Sequence, residues 1–129
     1  MAANTNAIFT LTPPTYGVQI STANTARDGT GTIGTVWTVG ANGGLLTSVR
    51  VQASVTTTAG VIRLFQRPAA TWFLWKEILV TAVTPSTTVE AWSAEYVPVN
   101  PLALPSGALF GASTNNAETF TVFPNAGDY

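Results

Sequence analysis

Leu45-Leu46-Thr47-Ser48-Val49-Arg50-Val51-Gln52-Ala53-Ser54-Val55 is the stretch on which the fold reading turns. In an extended chain Leu45, Val49, Val51, Ala53 and Val55 fall on one side, while Ser48, Arg50, Gln52 and Ser54 fall on the other. A period of two with one apolar side predicts a β-strand that meets a core on one face and water or a partner on the other. Working outward, the same period predicts strands at Val18 to Thr22, Thr32 to Val39, Val61 to Arg67, Trp72 to Thr81, Thr88 to Val97, Ala108 to Thr114 and Thr119 to Phe123. A further strand is expected at Ile8 to Thr12, which gives eight or nine in all, and no segment has the period of an amphipathic helix.

Between the strands stand Arg27-Asp28-Gly29, Gly40-Ala41-Asn42-Gly43-Gly44, Thr58-Ala59-Gly60, Arg67-Pro68, Thr84-Pro85-Ser86 and Asn115-Asn116, all turn chemistry. Pro98 to Gly107 carries three of the eight prolines, which forbids a central strand there and suggests a long connection from one sheet to another. Short strands at turn spacings near ten residues with one long crossover fit a closed barrel or a two-sheet β-sandwich of jelly-roll type, and the jelly roll is the expectation. The chain shows no internal repeat and reads as one sandwich domain over residues 8–129, preceded by a small polar arm over residues 1–7.

Composition narrows the chemistry. Only 9% of the 129 residues are charged, against about a quarter in ordinary soluble domains, while 46% are hydrophobic, and there is neither histidine nor cysteine. Much of the surface is therefore expected to be uncharged, with part of it against another protein. The commonest catalytic base, the usual thiol nucleophile and the usual transition-metal ligands are missing. A net charge of -1 gives no field to attract phosphate backbones or anionic lipid, so neither nucleic acid nor membrane is an expected partner. No apolar run approaches a membrane span and Met1-Ala2-Ala3-Asn4 does not open a signal peptide, so synthesis in the cytosol without export is expected.

Carboxylates are the remaining catalytic material, and they do not converge. Alternation sends Glu90 and Glu95 to opposite faces of one strand and turns Glu77 away from Lys76. Asp28, Glu118 and Asp128 sit in no dense acidic loop of the kind that holds a hard cation. No catalytic, metal or cofactor residue is expected, and the protein is not read as an enzyme.

Trp72-Phe73-Leu74-Trp75 is the strongest apolar signal, because alternation puts Trp72 and Leu74 on one face and Phe73 and Trp75 on the other. Either the strand lies between a core and a neighbouring subunit, or one aromatic pair is a platform for a sugar ring. Trp37 and Trp92 read as core. Arg50, Arg63 and Arg67 would cluster if Leu45 to Val55 and Val61 to Arg67 formed a hairpin; otherwise they are cross-strand partners for Glu77, Glu90 or Glu95.

The serial order of turns adds a resemblance. Arg27-Asp28-Gly29-Thr30-Gly31-Thr32, then Thr38-Val39-Gly40-Ala41-Asn42-Gly43-Gly44, then Thr57-Thr58-Ala59-Gly60-Val61-Ile62-Arg63-Leu64-Phe65 resembles a family of small tailed-bacteriophage virion proteins. The likeness continues through Lys76-Glu77-Ile78, Val83-Thr84-Pro85-Ser86, Leu104-Pro105-Ser106-Gly107 and Ala112-Ser113-Thr114-Asn115-Asn116-Ala117-Glu118 to Ala126-Gly127-Asp128-Tyr129. The resemblance implies a virion component without catalytic residues. Together with the composition it leads to the expectation of a capsid decoration, or cement, protein on the outer head surface, a homotrimer bound to the major capsid protein. Trp72, Phe73, Trp75, Arg50, Arg63 and Arg67 are the expected subunit contacts, and Ala2, Ala3, Asn4, Thr5, Asn6 and Ala7 the capsid-contacting arm. The rival expectations are a tail, baseplate or fibre-tip component that holds host glycan on an aromatic face, and an enzyme or lectin unrelated to virions.

Overall fold

The computed structural model describes residues 17–129, so the expected arm at Ala2 to Ala7 and the expected strand at Ile8 to Thr12 lie outside the described residues. Among the described residues there are nine strands: β1 (Val18–Ile20), β2 (Gly34–Thr38), β3 (Gly44–Ala53), β4 (Gly60–Arg67), β5 (Phe73–Val80), β6 (Ser93–Tyr96), β7 (Leu102–Leu104), β8 (Leu109–Thr114) and β9 (Phe120–Asp128). They form two sheets packed face to face. The first runs β1-β9-β3, with β6 and β7 sharing the far edge of β3; the second runs β2-β8-β4-β5. All paired strands are antiparallel. The chain passes back and forth between the sheets, apart from the consecutive pairs β4-β5 and β6-β7, and interleaves its ends with its middle in each, which is the strand order of a jelly roll.

The core lies between the sheets. Leu46, Val49, Val51, Phe120 and Val122 from the first meet Trp37, Ile62, Leu64 and Phe110 from the second, all nearly or fully buried. Each such side chain contributes roughly 1.5–3 kcal/mol relative to exposure. Trp92 closes the core edge-on to Phe120, at 5.7 Å between ring centroids, so Trp37 and Trp92 are both core residues as their neighbours in sequence suggested.

Three β-bulges break the simple alternation. In β3 the register steps from Leu46 opposite Ala126 to Ser48 opposite Asn125, which leaves Thr47 as an extra residue. The extra residue reverses the phase, so Leu46 faces the core in place of the expected Leu45. Val36 is the extra residue of β2, and both Val36 and Trp37 are buried in succession. Trp75 is the extra residue of β5, between Lys76 opposite Leu64 and Leu74 opposite Phe65. Val55, expected on the core face, is exposed because β3 ends at Ala53.

The proline-rich segment does not cross between the sheets over its whole length. β6 lies against Val49 to Gln52 of β3 and β7 against Gly44 to Leu46, so residues 93–104 are one edge strand interrupted at residues 97–101. An edge tolerates Pro98 and Pro101 because one row of its amides has no ladder partner to lose. The crossing is made only by Pro105-Ser106-Gly107-Ala108, where Gly107 takes a φ of 75° and Ala108 N–H donates to Pro105 C=O at 3.1 Å.

The phase reversal at Thr47 is open to a stability test. Leu46→Ala is expected to cost about 2–5 kcal/mol in urea unfolding, and Leu45→Ala about 1 kcal/mol or less. The opposite ranking would contradict the bulge.

Candidate functional site

The outer face of the second sheet is not left to solvent. In β4, Ile62 and Leu64 enter the core, yet Arg63 and Phe65 on the opposite side are also buried. The cover is the connection from β1 to β2, residues 21–33. Asn24 organises it: its Nδ2 donates to the carbonyls of Thr30 (3.0 Å) and Thr32 (2.9 Å), and its Oδ1 accepts from Ala26 N–H (3.0 Å). Asn24 N–H donates to Thr114 C=O at 2.8 Å, which ties the segment to β8. Gly111 on β8 leaves room for it, since a Cβ there would stand 2.8 Å from both Ile33 Cγ2 and Trp72 Cη2.

Trp72 is half-buried between Gly111 and the covering segment, where Gly29 approaches its backbone. Trp75, displaced inward by its bulge, packs edge-on against Phe110 at 5.6 Å and Tyr96 at 5.5 Å. Phe73 is 53% exposed. The expected sides hold: Leu74 lies opposite Phe65 on the outer face with Trp72, and Phe73 lies opposite Gln66 on the side where Trp75 meets Phe110, so the extra residue changes the phase only from Lys76 onward.

The three arginines do not cluster. β3 has β9 on one edge and β6 and β7 on the other, so it has no edge left for β4, and the expected hairpin does not form. Arg50 lies on the first sheet, 5.2 Å above the Phe123 ring, and donates to Gln52 Oε1 at 2.9 Å. Arg67 ends β4 opposite Leu109. Arg63, 3% exposed, donates through Nη1 to Asn24 C=O at 3.1 Å and through both Nη atoms to Asn115 Oδ1 at 3.3 Å. Its cross-strand neighbour is Glu77, at 3.5 Å from Nε, so the alternative reading of Arg63 as a partner for Glu77 holds. Glu77 also accepts two hydrogen bonds from Arg27 Nε, at 3.0 and 3.1 Å. Chiefly through that bond to Arg27, its carboxyl is held below the usual glutamate range.

The other carboxylates have similar duties. Asp28 accepts from Thr30 Oγ1 (2.6 Å) and N–H (3.1 Å), which lowers its pKa. Glu118 accepts from the hydroxyl and amide of Thr58, joining two loops. Asp128 accepts from Trp37 Nε1–H and Gly40 N–H, both at 3.1 Å, and so ties the end of β9 to the other sheet. Lys76 lies over the Tyr96 ring, away from Glu77 as alternation predicts. Glu90 precedes β6 and is not in one strand with Glu95.

Of the most exposed apolar residues the sequence reading singled out Phe73 and passed over the rest. Among the described residues, five of the six exposed large hydrophobics, Phe73, Leu79, Val89, Val97 and Val99, come from the stretch 73–99, with Leu79 79% and Val99 98% exposed. That stretch supplies β5, the edge of the second sheet, and β6, an edge of the first. Trp75 and Lys76 both meet Tyr96, while Val80 and Trp92 both enter the core, so β5 and β6 run in opposite directions along one rim of the sandwich. Phe73 consequently lies towards the same end of the rim as Val97 and Val99. The available signal was the apolar content of both faces of Phe73-Leu74-Trp75 and Ile78-Leu79-Val80.

No protein-family model matches this chain, and comparison with curated proteins and with solved structures finds no match either.

Stability measurements separate the aromatic residues of this rim. Trp75→Ala is expected to cost about 3 kcal/mol or more in thermal or urea unfolding. Phe73→Ser is expected to stay within about 0.5 kcal/mol of wild type. A neutral Trp75→Ala would contradict its packing against the core.

Proposed function

We propose that this chain is a structural subunit of a tailed-phage virion: a capsid decoration, or cement, protein that sits as a homotrimer on the outer head surface against the major capsid protein. The observation that carries the reading is the rim at residues 73–99, where Phe73 and Leu79 of the edge strand β5 and Val89, Val97 and Val99 of the segments flanking β6 are exposed. Exposed apolar edges on a small, nearly neutral domain favour contact with protein over contact with phosphate or lipid. The serial resemblance to small virion proteins supports the same assignment, as do the low charge and the lack of cysteine in the sequence.

The mechanism is mechanical. Phe73, Val97 and Val99 belong to subunit contacts within the trimer, and Ala2 to Ala7 reach the shell. A protein that binds only the assembled shell stabilises it by mass action, and many modest contacts per particle sum to resistance against internal pressure. The earlier expectation of Trp72 and Trp75 as contact residues is not carried into this proposal, because both are engaged within the subunit. The glycan-binding tail reading called for a free aromatic platform, whereas both indoles are half-buried and make contacts within the subunit.

Purified protein mixed with heads that lack it tests the proposal by cryo-electron microscopy. Regular added density at threefold or quasi-threefold positions is expected; bare heads would contradict it. Deletion of residues 2–7 is expected to abolish head binding while leaving the free oligomer intact, and unchanged binding would overturn the role of the arm.

A further inference from the structure

Besides the main-chain bonds of Asn24 to Thr114 and Arg63, one carboxylate fastens the covering segment to the second sheet. Arg27 on the segment and Arg63 on β4 both address Glu77, at 3.0 and 3.5 Å. The three side chains differ sharply in access to water: Arg27 is 63% exposed, Glu77 31% and Arg63 only 4%. Solvent can therefore protonate the central group directly, while one of its two partners has no route to hydration as long as the segment stays down.

Arg63 has no other anion within reach. Its remaining acceptors are the Asn24 carbonyl, on the segment itself, and the Asn115 side-chain oxygen, both neutral. Its Nε makes no hydrogen bond, and faces only the Glu77 carboxylate. A buried cation that loses its counter-charge becomes strongly destabilising unless water reaches it. Lifting residues 21–33 is the movement that would admit water, because Asn24 and Arg27 both belong to that segment.

We infer that residues 21–33 form an acid-released strap: protonation of Glu77 unfastens Arg27, strands Arg63, and lifts the strap from Trp72, Phe65 and Gly111 while the sandwich stays folded. This device is independent of the assembly reading above.

The sign of the effect follows from the partners. Both charged groups that face Glu77, Arg27 from the strap and Arg63 from β4, are cations and favour its ionised form. Lys76, its neighbour on β5, is turned to Tyr96. The pKa of Glu77 is accordingly lowered. The fastening is complete above the ordinary glutamate range and is lost as pH falls below it. Asp28, also on the strap, is lowered too, but it binds Thr30 within the strap and does not face Glu77.

The test is an NMR titration of the full chain, following the Trp72 indole N–H as strap reporter and that of Trp92 as core reporter, together with amide exchange over residues 21–33. In wild type the Trp72 signal is expected to shift below the glutamate range while Trp92 stays native. Glu77→Gln is expected to show the shifted Trp72 position already at neutral pH, with strap amides exchanging about tenfold faster, the loss of one charged hydrogen bond. Arg27→Ala changes an exposed residue and keeps the fold, and is expected to move Trp72 in the same direction. Asp28→Asn is expected to keep the strap closed at neutral pH. A wild-type Trp72 signal that moves only together with Trp92 would overturn the inference, as would a neutral-pH strap unaffected by Glu77→Gln or Arg27→Ala.

Discussion

The ladder between β3 and β9 is the interaction on which the rest of the molecule rests. It runs from Gly44 opposite Asp128 to Ala53 opposite Phe120, joining residues more than sixty positions apart along the whole length of both strands. β1 can exist as a three-residue strand only because β9 offers it an edge, and β6 and β7 form only against the other side of β3. At the end of the ladder Asp128 reaches across to Trp37 and Gly40, so the same pairing locks one sheet onto the other. A three-residue strand is too short to be stable alone, and its order is borrowed from the ladder.

With β3 saturated on both edges, the first sheet ends at β1 and at β6 with β7, and the second at β2 and at β5. Natural sheets usually blunt such edges with charge, proline or a covering segment. This chain covers the centre of its second sheet with residues 21–33, and it interrupts the first sheet's edge with Pro98 and Pro101. Few of its charges are left without a partner, and two of those, Glu90 and Glu95, are exposed beside the apolar residues of the rim. Of its eleven charged residues, eight have a partner: Arg27, Arg63 and Glu77 fasten the strap, Asp28, Glu118 and Asp128 hold loops or the strand end, and Arg50 and Lys76 lie over rings. Scarcity of charge is thus tied to architecture, and it leaves Leu79, Val97 and Val99 as the natural place for protein contact in the proposed role.

How much of this was legible in the sequence follows from what alternation encodes. A period of two located β3, β4, β5 and β8 and the two-sheet class, because core-facing residues must repeat every second position wherever a strand is regular. It failed at Leu45, beyond Trp75 and around Val36, where one extra residue reverses the faces and nothing local in the sequence announces it. Proline correctly excluded a central strand over Pro98 to Gly107, but it could not distinguish an interrupted edge from a crossover. The arginine cluster failed for a topological reason, since neighbours in sequence such as β3 and β4 belong to opposite sheets in a jelly roll. The strap was invisible for the same reason: Arg27 and Glu77 are fifty residues apart, and only the fold brings them together.

The central claim is that association proceeds through the rim formed by β5 and β6, and concentration-dependent hydrogen–deuterium exchange tests it most directly. Raising the protein concentration is expected to slow exchange over residues 73–80 and 93–99 while leaving the outer face of β1 and β9 unchanged. Protection that falls on β1 and β9, or exchange that is independent of concentration throughout, would contradict the account.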